Sequence, residues 1–253
     1  MPLMPGADPF SHAGGPVGAL LLHGFAGSPR SMRPWADRLA TEGLSVELPR
    51  LPGHGTRWQD MAVTRWEDWY AEADRSLTLL RERSATTFVL GLAMGATLAL
   101  RLAQQRPDDV AGLVLVNPWV RSHRRGRRLL PLGRLVVKSL PGNGNDIARP
   151  GVDEGCYDRL PLQPAYSLVQ AASQVSADLP RVVAPLLLLH SRHDHVVEPG
   201  NAAAILSGVS SKDRTEVWLE NSFHVATLDH DATLIESRSI EFVHRVAPGS
   251  VQG

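Results

Sequence analysis

The chain has 253 residues, a formal net charge of zero and 43% hydrophobic residues. This length suits one large α/β domain or two small ones, with a substantial buried core. A neutral chain argues against general nucleic-acid binding. The single cysteine, Cys156, excludes an internal disulfide framework and favours a reducing compartment. Residues 1–15 lack the pattern of a signal peptide, and no apolar run is long enough to span a membrane, so we expect a cytoplasmic protein.

Strand and helix signals alternate along the chain. The apolar run at 17–22 predicts a strand buried on both faces, and Ser28 with Pro29 predicts the start of a helix that reaches about Ala40. In chain order we then predict strand 44–48, helix 66–82, strand 86–90, a helix from 96, strands 111–116, 185–190 and 215–219, and helix 232–246. This alternation predicts a mostly parallel central sheet flanked by helices.

Residues 119–179 are too many for a simple connection between neighbouring strands. We predict that they form a cap over the carboxyl ends of the strands, inserted into a core made of residues 1–118 and 180–253. A helix is expected at 164–175 within it. The stretch 121–138 holds seven Arg and Lys residues among apolar ones. Two interpretations stay open for that stretch: a solvated face of the cap, or peripheral contact with an anionic lipid surface.

The segment Gly91–Gly95 joins a predicted strand to a predicted helix and reads G-x-A-x-G. In α/β-hydrolases a G-x-S-x-G sequence at such a junction forms a sharp turn that presents the nucleophilic serine. Glycines are needed because the turn brings the backbone close to its neighbours. Ala93 would therefore keep the turn and remove the nucleophile.

Acyl transfer through serine also requires a base, an acid that orients the base, and N–H donors for the oxyanion. In α/β-hydrolases the acid and then the histidine follow the nucleophile in the chain. Asp194 comes after strand 185–190 and His224 after the last strand, so both should lie near Ala93 at the same sheet edge. The rival acids are Asp229 and Glu198, and the rival histidines are His193, His195 and His230.

The oxyanion donors are expected to be backbone N–H groups. Met94 directly follows the nucleophile position and begins a helix, whose N-terminus carries partial positive charge. Phe25 lies in the loop after the first strand and is the expected second donor.

Four segments resemble bacterial monoacylglycerol lipases and the related small carboxylesterases, which are α/β-hydrolases. They are 23–29 (HGFAGSP), 91–95, 194–202 and 221–229, and the resemblance runs from about 17 to 246. The resemblance implies an α/β-hydrolase core with a mobile cap and the hydrolysis of a monoacylglycerol to glycerol and a fatty acid. It also implies an oxyanion hole at Phe25 and Met94 and a glycerol-binding carboxylate at Glu154.

The departure at Ala93 leaves two explanations open: a serine-to-alanine change introduced by engineering, or a natural relative that lost catalysis and kept binding. In either case the chain should bind a small acyl ester without cleaving it. A broader carboxylesterase, an acyltransferase and a non-catalytic ligand-binding protein remain alternatives. We expect no cofactor, and His190, His193 and His195 lack the accompanying ligands that would make a metal site convincing. The sequence leaves the oligomeric state open.

Overall fold

The computed structural model describes residues 2–121, 137–142 and 144–247. The strands are β1 (Phe10–His12), β2 (Val17–Leu22), β3 (Ser45–Leu48), β4 (Thr86–Leu92), β5 (Gly112–Val116), β6 (Ser139–Pro141), β7 (Arg159–Pro161), β8 (Leu186–Ser191) and β9 (Arg214–Leu219). The helices are α1 (Arg33–Thr41), α2 (Trp58–Ala62), α3 (Trp66–Arg81), α4 (Met94–Gln105), α5 (Leu162–Ala177), α6 (Gly200–Gly208) and α7 (Ala232–Val246).

Seven strands form the central sheet in the order β1-β3-β2-β4-β5-β8-β9. All neighbours in it pair in parallel except β1, which pairs antiparallel with β3. The parallel strands are nearly continuous apolar runs because helices cover both faces. This is the mostly parallel α/β architecture that the alternating pattern predicted, and the expected fold class is confirmed.

The core lies in two layers, one on each face of the sheet. Side chains that alternate along β2 divide between the layers, with Leu20 and Leu22 on one face and Ala19 and Leu21 on the other. The first layer includes residues of α3, α4, α5 and α6, and the second includes residues of α1 and α7. The two layers hold the strand ends, and the loops that follow them, in a defined arrangement.

Several element boundaries differ from the sequence expectation. Ser28 caps only a 3₁₀ turn at Pro29–Ser31, and α1 begins at Arg33, so the predicted continuous helix from Pro29 was wrong at its start. Strand β4 runs two residues further than expected because its end pairs with β5, with Leu92 opposite Val116. The pattern of the sequence did not predict the short elements β1, α2, β6, β7 and α6. Each of them has nine residues or fewer, too few to show a clear periodic pattern.

The predicted cap region runs between two strands that pair directly with each other. Leu113 of β5 lies opposite Leu186 of β8, so residues 119–179 belong to the chain segment that connects two neighbouring strands of the sheet. Within this region β6 and β7 form a two-stranded antiparallel sheet, and α5 contributes Leu168, Ala171 and Val175 to the first core layer. The division into a core and a cap remains an interpretation of this topology.

The basic stretch 121–138 falls mostly at residues 122–136, which lie outside the described residues. The choice between a solvated face and a lipid-contacting surface therefore stays a prediction, as does the cytoplasmic location. In the described ranges no helix is both long enough and apolar enough to cross a membrane.

Candidate active site

Ala93 occupies the tip of a strained turn between β4 and α4. Its backbone has φ +52° and ψ −111°, a conformation that residues with a side chain rarely adopt. A Cβ on Gly91 would lie 2.4 Å from the Ala96 nitrogen, and a Cβ on Gly95 would lie 1.9 Å from the Leu22 carbonyl oxygen. Both glycines are therefore required by close backbone contacts, and the turn has the form expected of a nucleophile elbow.

The predicted acid and base form a hydrogen-bonded pair. His224 Nδ1 lies 2.8 Å from Asp194 Oδ2, and the Asp194 side chain is fully buried. The other carboxylate oxygen accepts hydrogen bonds from the N–H groups of Val196 and Val197, at 2.8 and 2.7 Å. Burial opposes the charged form of Asp194. The His224 hydrogen bond and charge, together with the two N–H donors, nevertheless hold the pKa of the carboxyl below its ordinary value.

The arrangement of this pair specifies the state of the imidazole. Because Nδ1–H donates to the Asp194 carboxylate, neutral His224 carries its free lone pair on Nε2, as a general base requires. Burial lowers the pKa of His224, but the Asp194 hydrogen bond and the charges of Asp194, Glu154 and Asp146 more than compensate and raise the pKa above its ordinary value. The interactions that raise this pKa stabilise the imidazolium form of His224.

The predicted oxyanion donors belong to two segments next to Ala93. Within the part of the chain that the structure describes, the backbone N–H groups of Phe25 and Met94 have no acceptor. A Cβ on Gly24 would lie 3.7 Å from the Ala93 Cβ, which places the loop of Phe25 directly beside the elbow. Met94 is the first residue of α4, so its N–H has no acceptor within the helix.

His23 stabilises the loop at residues 23–29, which carries Phe25 and is called the oxyanion loop below. Its Nδ1 lies 3.0 Å from the Gly24 carbonyl oxygen, and its Nε2 accepts a hydrogen bond of 3.2 Å from the Leu51 N–H. Burial lowers the pKa of His23 to about 4, so the ring is neutral in physiological conditions. His23 therefore fixes the geometry of the loop that carries Phe25.

Ala93, His224, Phe25 and Met94 all line one cavity of about 520 Å³. This volume lies within the range of small-molecule sites. Part of the wall is apolar, and the predicted cap contributes to it Trp119, Leu160, Ala165, Leu168 and Val169. Another part is polar and includes Asn145, Asp146 and Glu154.

Glu154 is buried in this wall, and it forms hydrogen bonds within the chain. Its Oε1 accepts a hydrogen bond from the Asn145 N–H, and the Asn145 side-chain oxygen accepts one from the Glu154 N–H, both at 2.9 Å. The other oxygen, Oε2, lies 3.6 Å from the position that a Cβ on Gly27 would occupy, next to the oxyanion loop. Glu154 thus lines the cavity at the end close to Gly27.

Cys156 also lines the cavity but is poorly suited to act as a nucleophile. Burial and the neighbouring Glu154 charge raise the pKa of its thiol to about 12. The protonated thiol is not a nucleophile.

The rival residues lie in other environments. Asp229 is buried, and its carboxylate accepts hydrogen bonds from four backbone N–H groups, those of Ala148, Arg149, Phe223 and His230. Glu198, His193 and His230 are exposed. His195 is also exposed and pairs with Asp146 at 2.8 Å. Of the acids and histidines weighed, only Asp194 and His224 pair with each other beside Ala93.

Two residues that support the site were missed in the sequence. Asn117 follows β5 with φ +46°, and its side chain donates to the His224 carbonyl oxygen at 2.7 Å and accepts from the Ser191 N–H at 2.7 Å. The available signal was a polar residue directly after a buried strand, but Asn117 fits equally well as a residue that only ends the strand. Asp146 had no such signal, because it lies in an irregular segment.

No group of three or more His, Cys, Asp or Glu side chains suited to a metal ion occurs within residues 2–121, 137–142 and 144–247. His190, which we had considered as a ligand, is buried against Trp218.

Comparison with known proteins adds to this geometry. Residues 18–231 match the Hydrolase_4 family model, described as serine aminopeptidase, S33. A thermostable monoacylglycerol lipase from Bacillus sp. strain H-257 is 43% identical over 95% of this chain and 96% of its own length. A carboxylesterase from Bacillus subtilis strain 168 is 25% identical over 94% of this chain and 96% of its own.

Solved structures agree with the sequence relatives. A structure reported with the metagenome-derived lipolytic enzymes LipS and LipT superimposes with a TM-score of 0.94 and 39% identity, covering 96% of this chain and all of that one. The expected resemblance is therefore confirmed. The chain belongs to the Hydrolase_4 (serine aminopeptidase, S33) family of α/β-hydrolases and, within it, resembles the bacterial monoacylglycerol lipases and small carboxylesterases.

Proposed function

We propose that this chain is a monoacylglycerol lipase in a nucleophile-less form, which binds its ester substrate without cleaving it. The observation that carries the proposal is the elbow: Ala93 lies at its strained tip, while Asp194 and His224 form a hydrogen-bonded pair beside the same cavity. The similarity to a monoacylglycerol lipase over nearly the whole chain supports the substrate class.

A serine at position 93 would complete the reaction. Its hydroxyl oxygen would attack the ester carbonyl carbon while His224 Nε2 takes the hydroxyl proton, and the N–H groups of Phe25 and Met94 would stabilise the oxyanion. Collapse of the tetrahedral intermediate would break the bond to glycerol, with the proton returning from His224 to the leaving oxygen. Water would then attack the acyl group by the same route and release the fatty acid.

The chain with Ala93 can perform neither step. Loss of a triad member leaves about 10³- to 10⁴-fold acceleration over water, which routine ester assays would miss. Binding should persist because a methyl group is smaller than a hydroxymethyl group and leaves the cavity open.

The two parts of the cavity wall suit the two ends of a monoacylglycerol. Aliphatic and aromatic side chains such as Trp119 and Leu168 offer an apolar surface for the acyl chain. Glu154 lines the same cavity, and a carboxylate there can accept a hydrogen bond from a glycerol hydroxyl.

The origin of Ala93 is part of the proposal. The Asp194–His224 pair and the segments that carry Phe25 and Met94 are all present. A lineage that had long lost its serine would have no chemical reason to keep them. This favours an introduced serine-to-alanine change. An alanine codon at this position in the source genome would instead favour natural loss of catalysis.

The test is Ala93→Ser, assayed on monoacylglycerols of several acyl lengths and on p-nitrophenyl esters. We expect hydrolysis to rise by at least about 10³-fold over the Ala93 chain, since a complete triad is restored. The double variant Ala93→Ser/His224→Ala is the matched control and should stay at the background rate. No gain with any ester would contradict the proposal.

A second candidate function is a broader carboxylesterase or an acyltransferase, which the similarity to a carboxylesterase supports. Equal activity of Ala93→Ser on methyl esters and monoacylglycerols of the same acyl chain would favour the esterase. Transfer of the acyl group to an added alcohol in preference to water would favour the acyltransferase. If Ala93→Ser is inactive but the Ala93 chain binds monoacylglycerol in calorimetry, the protein is a ligand-binding relative.

A further inference from the structure

We propose that the Asp146 carboxylate is a positioning group for the active site. It joins the acid loop, which follows β8 and carries Asp194, to the histidine loop, which follows β9 and carries His224. Asp146 itself lies in the segment between β6 and β7. The proposal rests on the assignment of Asp194 and His224 in the proposed function. It adds a residue that lies outside the nucleophile, the acid, the base and the oxyanion hole.

Asp146 contacts both loops through one carboxylate. Its Oδ2 accepts hydrogen bonds from the N–H of His224, at 3.1 Å, and from the N–H of His195, at 3.3 Å. Its Oδ1 lies 2.8 Å from His195 Nδ1. His195 directly follows Asp194, so a single side chain joins the residue next to the acid to the main chain of the base.

The main chain of Asp146 adds a further bond to the histidine loop. Its carbonyl oxygen accepts a hydrogen bond of 3.0 Å from the Val225 N–H. The His224 imidazole is thus held by its hydrogen bond to Asp194. The backbone N–H groups of His224 and Val225 are both held by Asp146. The Asp146 side chain is 16% exposed, whereas the His195 side chain is 61% exposed. Water therefore competes less with the bond from Asp146 to the His224 N–H than with its bonds to His195.

The segment that carries Asp146 is itself anchored on both sides. Before it, Asn145 exchanges two hydrogen bonds with Glu154. After it, the N–H groups of Ala148 and Arg149 donate to the buried Asp229 carboxylate at 2.7 and 2.9 Å. Asp146 therefore acts from a fixed support, which is what precise positioning of a catalytic base requires.

Asp146 also belongs to the charges that surround His224. The groups that act on the imidazole are Asp194 from the acid loop, Glu154 and Asp146 from the predicted cap region, and His190 from β8. Burial lowers the pKa of His190, so this ring is neutral and contributes no positive charge at physiological pH. The three carboxylates favour the imidazolium form of His224, the form it takes in the transition state.

The first test uses the Ala93 chain and does not depend on activity. The His224 imidazole is titrated by ¹H–¹⁵N NMR, with its signal assigned by loss in a His224→Gln variant. Asp146→Asn should lower the pKa of His224, because it removes a negative charge that favours the imidazolium. Asp158→Asn is the matched control: it removes an exposed carboxylate from the same region and should leave the His224 titration unchanged. An unchanged His224 pKa in Asp146→Asn would overturn the electrostatic part of the proposal.

The second test uses the Ala93→Ser background. Asp146→Asn and Asp146→Ala should each lower kcat roughly 10- to 100-fold with little change in KM, since a misplaced base slows chemistry more than it weakens binding. With Asp146→Asn the acidic limb of the kcat/KM profile should move to lower pH, as His224 deprotonates more easily. A loss confined to KM, or a loss of kcat that Asp158→Asn reproduces, would reject the positioning role.

The two proposals fail in different ways. If Ala93→Ser is inactive on every ester while Asp146→Asn still lowers the His224 pKa, the proposed function is wrong and the effect of Asp146 on His224 stands. If Ala93→Ser is active but Asp146→Asn changes neither the pKa nor kcat, the role of Asp146 is wrong and the proposed function stands.

Discussion

At the scale of a residue, Glu154 combines two tasks in one carboxylate. Oε1 accepts a hydrogen bond from the Asn145 N–H, and Oε2 lies near the oxyanion loop. A substitution can therefore affect the wall of the cavity as well as the ligand. Glutamine separates the tasks, because it keeps an acceptor for Asn145 and removes the charge.

In the Ala93→Ser background we expect Glu154→Gln and Glu154→Ala to raise KM for a monoacylglycerol by about 10-fold or more, the value of a hydrogen bond to a charged group. The methyl ester of the same fatty acid has no glycerol, so its KM should be nearly unchanged. Thermal unfolding provides the control: Glu154→Ala should lower Tm more than Glu154→Gln, because it leaves the Asn145 N–H without its acceptor. An equal increase in KM for both esters would reject a role of Glu154 in glycerol binding.

At the scale of an element, the junction of β4 and α4 depends on close approach of two backbones. Gly95 lies in the first turn of α4, and a Cβ there would be 1.9 Å from the Leu22 carbonyl oxygen of β2. No side-chain rotation can relieve a contact with backbone, so the helix would have to move away from the sheet.

We therefore expect Gly95→Ala to destabilise the fold by about 3 kcal/mol or more, the upper range for overpacking. For a domain of this size that corresponds to a decrease in Tm of at least about 6 °C, measured by calorimetry. Gly200→Ala is the matched control, since a Cβ there meets only an Arg121 side-chain atom, at 3.7 Å. An equal Tm in the two variants would show that the elbow tolerates a side chain at position 95.

At the scale of the whole molecule, Asp229 links the predicted cap region to the core. Asp229 is 1% exposed. Its carboxylate accepts hydrogen bonds from the backbone N–H groups of residues 148 and 149 in the predicted cap region and of residues 223 and 230 in the core. A buried charge is costly unless it is well hydrogen-bonded, and here backbone donors satisfy it.

Asp229→Ala would leave these four N–H groups without their acceptor. We expect a loss of about 3 kcal/mol or more, because each unsatisfied buried group costs about 1–3 kcal/mol. Unfolding by heat, with Asp108→Ala as the exposed control, measures the effect. A Tm equal to that of the control would contradict the anchoring role.

How much could be read from the chain alone depended on how local each feature is. The apolar runs of the central strands, the elbow with its two glycines and the order of Ala93, Asp194 and His224 are short motifs next to strand ends. Parallel strands bring their carboxyl ends to one edge, so these positions could be predicted to converge. The short strands and helices could not, because their stability comes from neighbours rather than from their own pattern.

The sequence by itself thus determined the α/β class, the family resemblance and the absence of a serine at the elbow, all features written in adjacent residues. Only the tertiary structure decided that Asp146 contacts His224, 78 positions away, and that Asp229 holds residue 148, 81 positions away. Hydrogen bonds between such distant residues leave no periodic or compositional trace, since they form only when the folded chain brings the groups together.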